Sequence, residues 1–137
     1  MKSPSDIVEK LRAAGLRPTR QRLALAHILF GSGDRHITAE ALLAEAEAAD
    51  VPVSLATVYN TLNQFEDAGI LRQVAIEGGK TFFDTNTSDH LHFYISGKNA
   101  LVDIDADDLK ITGLPALPPG TELDRIDVIV RLKPAAA

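Results

Sequence analysis

The sequence contains no cysteine, so disulfide bonds, thiolate zinc sites and cysteine nucleophiles are all excluded. It also lacks any apolar run close to the roughly 20 residues that a membrane-spanning helix needs. The N-terminus has no apolar core of the kind that a signal peptide carries. We therefore expect a cytoplasmic protein that has no membrane partner.

Positive charge is also scarce, because 14 basic side chains stand against 19 acidic ones and leave a formal net charge of −5. This balance argues against a protein that coats nucleic acid nonspecifically. The charge is uneven, however, since residues 1–30 hold six basic and two acidic side chains and the remainder holds eight and seventeen. A locally basic N-terminus on an acidic body can bind DNA through one face.

Four helices are predicted in the first half of the chain from apolar residues at three- and four-residue steps. The first spans about residues 5–14, and Thr19, Thr38 and Ser54 are suitable N-caps for the other three. His27 falls on the apolar stripe of the second helix, and we interpret it as a packed core histidine.

The fourth helix, from Ser54 to Gly69, has an unusual outer face. Its apolar stripe consists of Leu55, Val58, Leu62 and Phe65. The opposite side is small, amide-rich and uncharged, and consists of Ala56, Thr57, Asn60, Asn63 and Gln64. Amides and threonine can hydrogen-bond base edges, whereas an early carboxylate would repel phosphate. We interpret it as a DNA recognition helix; the alternative is an ordinary amphipathic helix with an amide-rich surface.

After Gly69 the apolar period changes from that of a helix to that of a strand. Residues 71–76 and 81–84 are short strand candidates, and the Gly78-Gly79 pair between them is a strong hairpin signal. Helices followed by such a hairpin are typical of a winged helix. Lys80 at the tip could lie along phosphate.

We therefore predict an α+β protein with two domains. A winged-helix DNA-binding domain occupies residues 1–84, a polar hinge follows at 85–89, and a small α/β dimerisation domain occupies 90–137. A unit of roughly fifty residues with no disulfide or other crosslink buries too little surface to be secure alone. This predicts a homodimer, although packing of the second domain against the first is an alternative.

These motifs resemble the ferric uptake regulator family. The similarity covers most of residues 7–84 in the family's order, at Gly15–Arg22, His36–Leu42, Leu55–Gly69 and Glu77–Lys80. The second half is most similar to the iron response regulator branch of alphaproteobacteria, at Ser88–Ile95 and from Leu117 to Val130. The resemblance implies a dimeric, metal-responsive transcription factor with a winged-helix DNA domain and an α/β dimerisation domain.

The resemblance also implies a double-stranded DNA operator, which we expect to be an A·T-rich inverted repeat. Tyr59 would touch thymine or backbone, and Arg17 would reach into the minor groove. Asn60 stands where many relatives have arginine, so the preferred site is expected to differ from theirs. The predicted DNA contacts are Arg17, Arg20, Ala56, Thr57, Tyr59, Asn60, Asn63 and Lys80.

The histidines suggest a metal site. In an extended segment His90 and His92 point to the same side, although such a pair is often incidental. In the family pattern His36, Asp84, His90 and His92 match four ligands of a regulatory site between the domains. Nitrogen and oxygen ligands suit Mn(II), Fe(II) or Zn(II). Leu91 replaces an expected ligand of the family's second site, and the cysteine pairs of its structural zinc site are missing.

Haem is a further candidate effector, because the iron response regulator branch is associated with it. His90 or His92 could be an axial ligand, whereas a Cys-Pro haem motif cannot exist here. We thus expect a regulator of iron- or haem-responsive genes that binds a divalent metal, haem or both. The alternatives are a relative that responds to manganese or zinc, and an adaptor that does not bind DNA. We expect no enzyme, since no general base or nucleophile lies at a recognisable spacing.

Overall fold

A computed structural model describes the chain in four stretches. These stretches are residues 3–76, 80–88, 91–98 and 100–136. The chain divides into two units, Met1–Thr87 and Ser88–Ala137, and the division falls inside the predicted hinge. Within the described stretches, no helix is both long enough and apolar enough to cross a membrane.

The first unit begins with four helices. They are α1 (Pro4–Ala13), α2 (Arg20–Phe30), α3 (Ala39–Ala48) and α4 (Leu55–Asp67). Each starts after a residue whose hydroxyl accepts a hydrogen bond from a backbone N–H of the first turn, and these N-caps are Ser3, Thr19, Thr38 and Ser54. The helices predicted from the apolar spacing are therefore confirmed, together with the three predicted caps.

The end of α4 is set by Gly69, which has a φ of +82° that favours glycine. The N–H groups of Gly69 and Ile70 donate to the carbonyls of Glu66 and Phe65 at 2.9 and 3.0 Å. This pattern is a Schellman motif, which supplies hydrogen-bond donors to carbonyls at the helix end that have no partner within the helix. The predicted length of the fourth helix is confirmed.

Three strands complete the first unit: β1 (His36–Ile37), β2 (Arg72–Ile76) and β3 (Lys80–Asp84). They form an antiparallel sheet in the order β1-β3-β2, in which the predicted β2–β3 hairpin is present. The Gly78-Gly79 pair lies outside the described residues. The short strand β1 was not predicted, because two residues are too few to show the alternation of apolar and polar side chains that indicates a strand.

The core of the first unit contains fifteen buried apolar residues from all four helices and from the sheet. Two sequence-based predictions about helix faces were wrong. Leu55, the first residue of α4, is 37% exposed, and Thr61, which was not placed on the apolar stripe, is buried. His27 is exposed, since it lies about 100° around the helix from the buried Ala26.

The second unit is built on a separate sheet. Its strands are β4 (Leu91–Ile95), β5 (Ala100–Ile104) and β6 (Ile129–Leu132), in the order β5-β4-β6. β4 and β5 are antiparallel, and β6 runs parallel to β4. A single 3₁₀ turn, Ala106–Asp108, follows β5.

Strand register gives this sheet two different faces. One face carries only apolar side chains: Leu91, Phe93, Ile95, Ala100, Val102, Ile104, Val130 and Leu132. We call this set the apolar sheet face. The other face carries His92, Tyr94, Leu101, Asp103, Ile129 and Arg131. Val102 is 44% exposed, so the apolar sheet face is incompletely covered by its own chain.

Candidate functional site

The outer surface of α4 is accessible and uncharged. Ala56, Tyr59, Asn60 and Asn63 are exposed, and Thr57 is half-buried. The Ser54 hydroxyl donates to Oγ1 of Thr57 at 3.0 Å, so the first turn is rigidly closed. This surface is free to contact a partner, and its role in reading DNA stays a prediction.

Tyr59 projects from this surface toward the start of α3. Its hydroxyl donates to Oε1 of Glu40 at 2.8 Å, and this hydrogen bond raises the pKa of the Tyr59 phenol above its ordinary value. The hydrogen bond orients the phenol toward Glu40. Nothing in the sequence singled out Glu40, since the two residues lie 19 positions apart on different helices.

Arg22 joins three segments of the first unit. Its Nε and Nη2 donate to Oε1 of Gln64 at 3.2 and 3.0 Å, and its Nη1 donates to the Arg17 carbonyl at 3.0 Å. Gln64 lies on the outer face of α4 as predicted, and its side-chain oxygen is taken by Arg22. The predicted contacts Arg17 and Arg20 are both exposed near α2.

The hairpin tip is only partly described. The Lys80 backbone pairs with Ile76 in the β2–β3 ladder, but its side chain lies outside the described part of the structure. Its contact with phosphate stays a prediction.

The first unit holds one imidazole–carboxylate pair. His36 and Arg72 flank Asp84 on the two neighbouring strands, directly opposite it in register. Nε2 of His36 lies 3.1 Å from Oδ2 of Asp84, whose other oxygen accepts the Asn86 N–H at 2.9 Å. Asp84 is 1% exposed, so its orientation is fixed by its surroundings. Two predicted ligands thus lie together.

The second unit holds another such pair. His92 on β4 is opposite Asp103 on β5, with Nε2 of His92 3.5 Å from Oδ1 of Asp103. Sequence reasoning missed Asp103, because only the register of β4 with β5 places it opposite His92. His90, predicted as a metal or haem ligand, lies outside the described residues, and the haem role of His92 stays a prediction.

The chemistry of both pairs fits a divalent cation. Two ligand atoms at about 2.0–2.2 Å from one ion, at angles between those of octahedral and tetrahedral geometry, are roughly 2.8–3.6 Å apart. The His36–Asp84 separation of 3.1 Å and the His92–Asp103 separation of 3.5 Å both fall in this range. Each unit therefore supplies one nitrogen and one oxygen donor at a suitable spacing.

Comparison with known proteins connects these features to one family. Residues 13–115 match the model of the Ferric uptake regulator family. The Ferric uptake regulation protein of Vibrio cholerae is 41% identical over 86 residues, which are 63% of this chain and 57% of that protein. The Escherichia coli protein of the same name is 39% identical over 85 residues, with 62% and 57% covered. The matches thus span less than two thirds of these relatives.

Solved structures show the same fold. The V. cholerae ferric uptake regulator, whose crystal structure reveals a rearrangement of its DNA-binding domains, aligns with a TM-score of 0.72 and 27% identity. The alignment covers 92% of this chain and 98% of that one. The Pseudomonas aeruginosa regulator, solved with manganese, aligns with a TM-score of 0.70 and 25% identity over 93% and 97%. The predicted α+β fold is confirmed.

Proposed function

The chain belongs to the ferric uptake regulator family, and on that premise we propose that it is a dimeric, metal-responsive transcriptional regulator that binds DNA. The observation that carries the proposal is that the first unit has both an exposed, uncharged surface on α4 and the exposed basic side chains of Arg17 and Arg20. That combination suits base reading by one element and phosphate or minor-groove contact by its neighbours. The proposal assigns no catalytic role.

DNA recognition is proposed to use both grooves. α4 enters the major groove with Thr57, Tyr59 and Asn60, while Arg17 enters the adjacent minor groove at A·T pairs. A·T tracts narrow the minor groove and strengthen its negative potential, which favours an inserted guanidinium. The overall negative charge of the chain would keep the rest of the protein away from the duplex.

A homodimer is supported by the apolar sheet face. Its eight side chains are all apolar, and Val102 and Leu132 on it are exposed in the single chain. Burial of such a face against a second copy removes apolar surface from water. A twofold dimer presents two recognition helices, so the operator is proposed to be an A·T-rich inverted repeat.

The regulatory metal is proposed to bind the two imidazole–carboxylate pairs. In the first unit His36 and Asp84 supply one nitrogen and one oxygen donor, and in the second His92 and Asp103 supply the same two donor types. His90 is proposed as a further ligand on the family resemblance. A divalent cation would be held at such a pair by electrostatic attraction and coordination. Iron, manganese and zinc all suit the set; manganese is present in the P. aeruginosa relative.

Haem at His90 or His92 is the proposed second effector, in keeping with the iron response regulator resemblance and with iron- or haem-responsive target genes. Elemental analysis and haem absorbance of the purified protein show whether it carries a divalent metal or haem. Operator affinity is then titrated with Fe(II), Mn(II), Zn(II) and haem in turn. A response to manganese or zinc alone would assign the protein to the corresponding metal instead.

The experiment that tests DNA binding is selection from a random duplex library by the full-length protein. We expect an A·T-rich inverted repeat, with log affinity falling linearly as log salt rises. Failure to enrich any sequence, with or without each effector, would leave a winged-helix adaptor as the better reading.

A further inference from the structure

We propose that Arg22 is a positioning residue that fixes where Arg17 enters the minor groove relative to the recognition helix. This inference rests on the proposed DNA-binding function. The observation behind it is that one guanidinium holds a side chain of α4 and the backbone of Arg17 at the same time. Arg22 thereby connects the two elements that are proposed to read different grooves.

The Arg22 guanidinium is built into this position. Three of its five N–H groups are engaged: Nε and Nη2 share the amide oxygen of Gln64, and Nη1 takes the carbonyl of Arg17. Gln64 lies 42 residues along the chain from Arg22, on a different helix. Hydrogen bonds from a charged donor are stronger than neutral ones, and the planar fork allows only one arrangement. Arg22 is also half-buried, which restricts it further.

The backbone of Arg17 is held from two sides. Its carbonyl oxygen accepts from Nη1 of Arg22 at 3.0 Å and from the Thr19 N–H at 2.9 Å, which uses both lone pairs. Pro18, which follows, fixes its own φ and restricts the residue before it. The side chain of Arg17 stays exposed at the end of this rigid segment. A side chain on a preorganised backbone loses less freedom when it binds.

Direct contact between Arg22 and phosphate is the competing explanation, because two of its N–H groups are not used by Gln64 or Arg17. The two explanations predict different behaviour of Arg22→Lys. Lysine keeps the charge but has no fork, so it can replace a phosphate contact and cannot join Gln64 to Arg17 in the same way.

The first experiment compares Arg22→Lys and Gln64→Met on the duplex that the wild-type protein selects. Methionine matches the length of glutamine but offers no amide oxygen. We expect each variant to bind about tenfold more weakly with an unchanged salt slope. The double variant should be no weaker than either single variant, since both remove the same link. Arg12→Lys, an exposed swap on α1, is the matched control and should bind like wild type.

The second experiment reads the grooves separately. Replacing flanking A·T pairs by G·C places an amino group in the minor groove, whereas inosine·C pairs lack that group. The wild-type protein should reject G·C and tolerate inosine·C at these positions. In Arg22→Lys and in Gln64→Met the ratio of the affinities for the inosine·C and G·C duplexes should fall at least threefold. Adding Arg17→Ala to either variant should then weaken DNA binding only slightly further.

Three results would overturn the inference. The first is that Arg22→Lys binds DNA as tightly as the wild type, while Arg22→Gln lowers the slope of log affinity against log salt by about 0.9. Together these two observations would show that Arg22 contacts a phosphate. Undiminished minor-groove discrimination in Gln64→Met would show that the link does not position Arg17; because Gln64 is exposed, this variant should fold even where Arg22 variants do not. If the wild-type protein selects no duplex, the proposed function fails first and the inference fails with it.

Discussion

The two units differ in how completely each buries its own apolar residues. The first has a core of fifteen buried apolar residues contributed by helices and sheet. In the described part of the second, the buried apolar residues are Leu91, Tyr94, Leu101 and Ile104. Eight of the large apolar residues that are exposed also belong to it: Val102, Leu109, Ile111, Leu114, Leu117, Leu123, Ile126 and Leu132. The first unit therefore buries most of its large apolar residues, whereas the described part of the second leaves most of its own exposed.

The carboxylates of the two imidazole–carboxylate pairs also differ in how far they are buried. Asp84 is 1% exposed, lies in register between two partners and has its second oxygen on a backbone N–H. The side chain of Asp103 is 40% exposed at an edge strand. A ligand inside a packed unit is preorganised, whereas one at an edge must be ordered when the ion binds.

The largest expected difference concerns core truncation. Leu62→Ala, which empties a fully buried position on α4, should lower the free energy of unfolding by about 2–5 kcal/mol. Leu114→Ala, the matched change at an exposed position, should lower it by less than about 0.5 kcal/mol. Urea unfolding followed by circular dichroism measures both. A loss above about 1 kcal/mol for Leu114→Ala would instead mean that a partner covers this position.

Placing a charge on the apolar sheet face tests the interface. Val102→Asp should raise the dimer dissociation constant at least 100-fold, equivalent to about 2.8 kcal/mol, because two carboxylates would be buried at a twofold contact. Sedimentation analysis measures the change, and operator binding should be lost in parallel. Ser96→Asp, which adds the same charge at an exposed turn, is the control. A Val102→Asp protein that remains dimeric would place the interface elsewhere.

The two carboxylates should contribute unequally to metal binding. Asp84→Asn should weaken Mn(II) or Zn(II) binding about 10- to 100-fold, and Asp103→Asn should weaken it several times less, since the more exposed ligand is easily replaced by water. Calorimetric titration of both variants measures the ratio. Equal losses would show that the edge ligand is as well ordered as the buried one. A separate melting curve checks that Asp84→Asn still folds.

The smallest effect concerns the Tyr59–Glu40 hydrogen bond. It raises the pKa of Tyr59, so its contribution to stability is complete below about pH 10 and is lost as the pH rises through the raised value. Glu40→Gln should return the pKa toward the ordinary tyrosine value. Absorbance titration in a Tyr94→Phe background isolates the signal, because the chain has only two tyrosines. An unchanged titration curve would mean that the bond does not persist in solution.

Sequence patterns predicted the features that depend on nearby residues. The caps at Thr19, Thr38 and Ser54, the end of α4 and the β2–β3 hairpin are all set within a few positions. The Arg22–Gln64 and Tyr59–Glu40 contacts join different helices, so no local period reports them. The rotation of each helix was also decided by its neighbours, as the exposed Leu55 and His27 show.

The same limit applies to the metal donors. His36, Asp84 and His92 were found from the family pattern, and Asp103 was missed because its relation to His92 depends on strand register. Register between β4 and β5 could have been inferred from the Gly97 turn, but the apolar alternation alone allows more than one alignment.

The hydrogen-bonded ladder that positions Asp84 also restricts where residues can be inserted in this part of the sequence. A slip of β3 by one residue would turn Asp84 to the opposite side of the sheet and direct Phe83 where the carboxylate now lies. Insertions are therefore tolerable in the connection between β2 and β3, where they lengthen the wing without moving the pairing. Within β3 even a single added residue would move the Asp84 carboxylate away from His36, so the strand itself does not tolerate insertion.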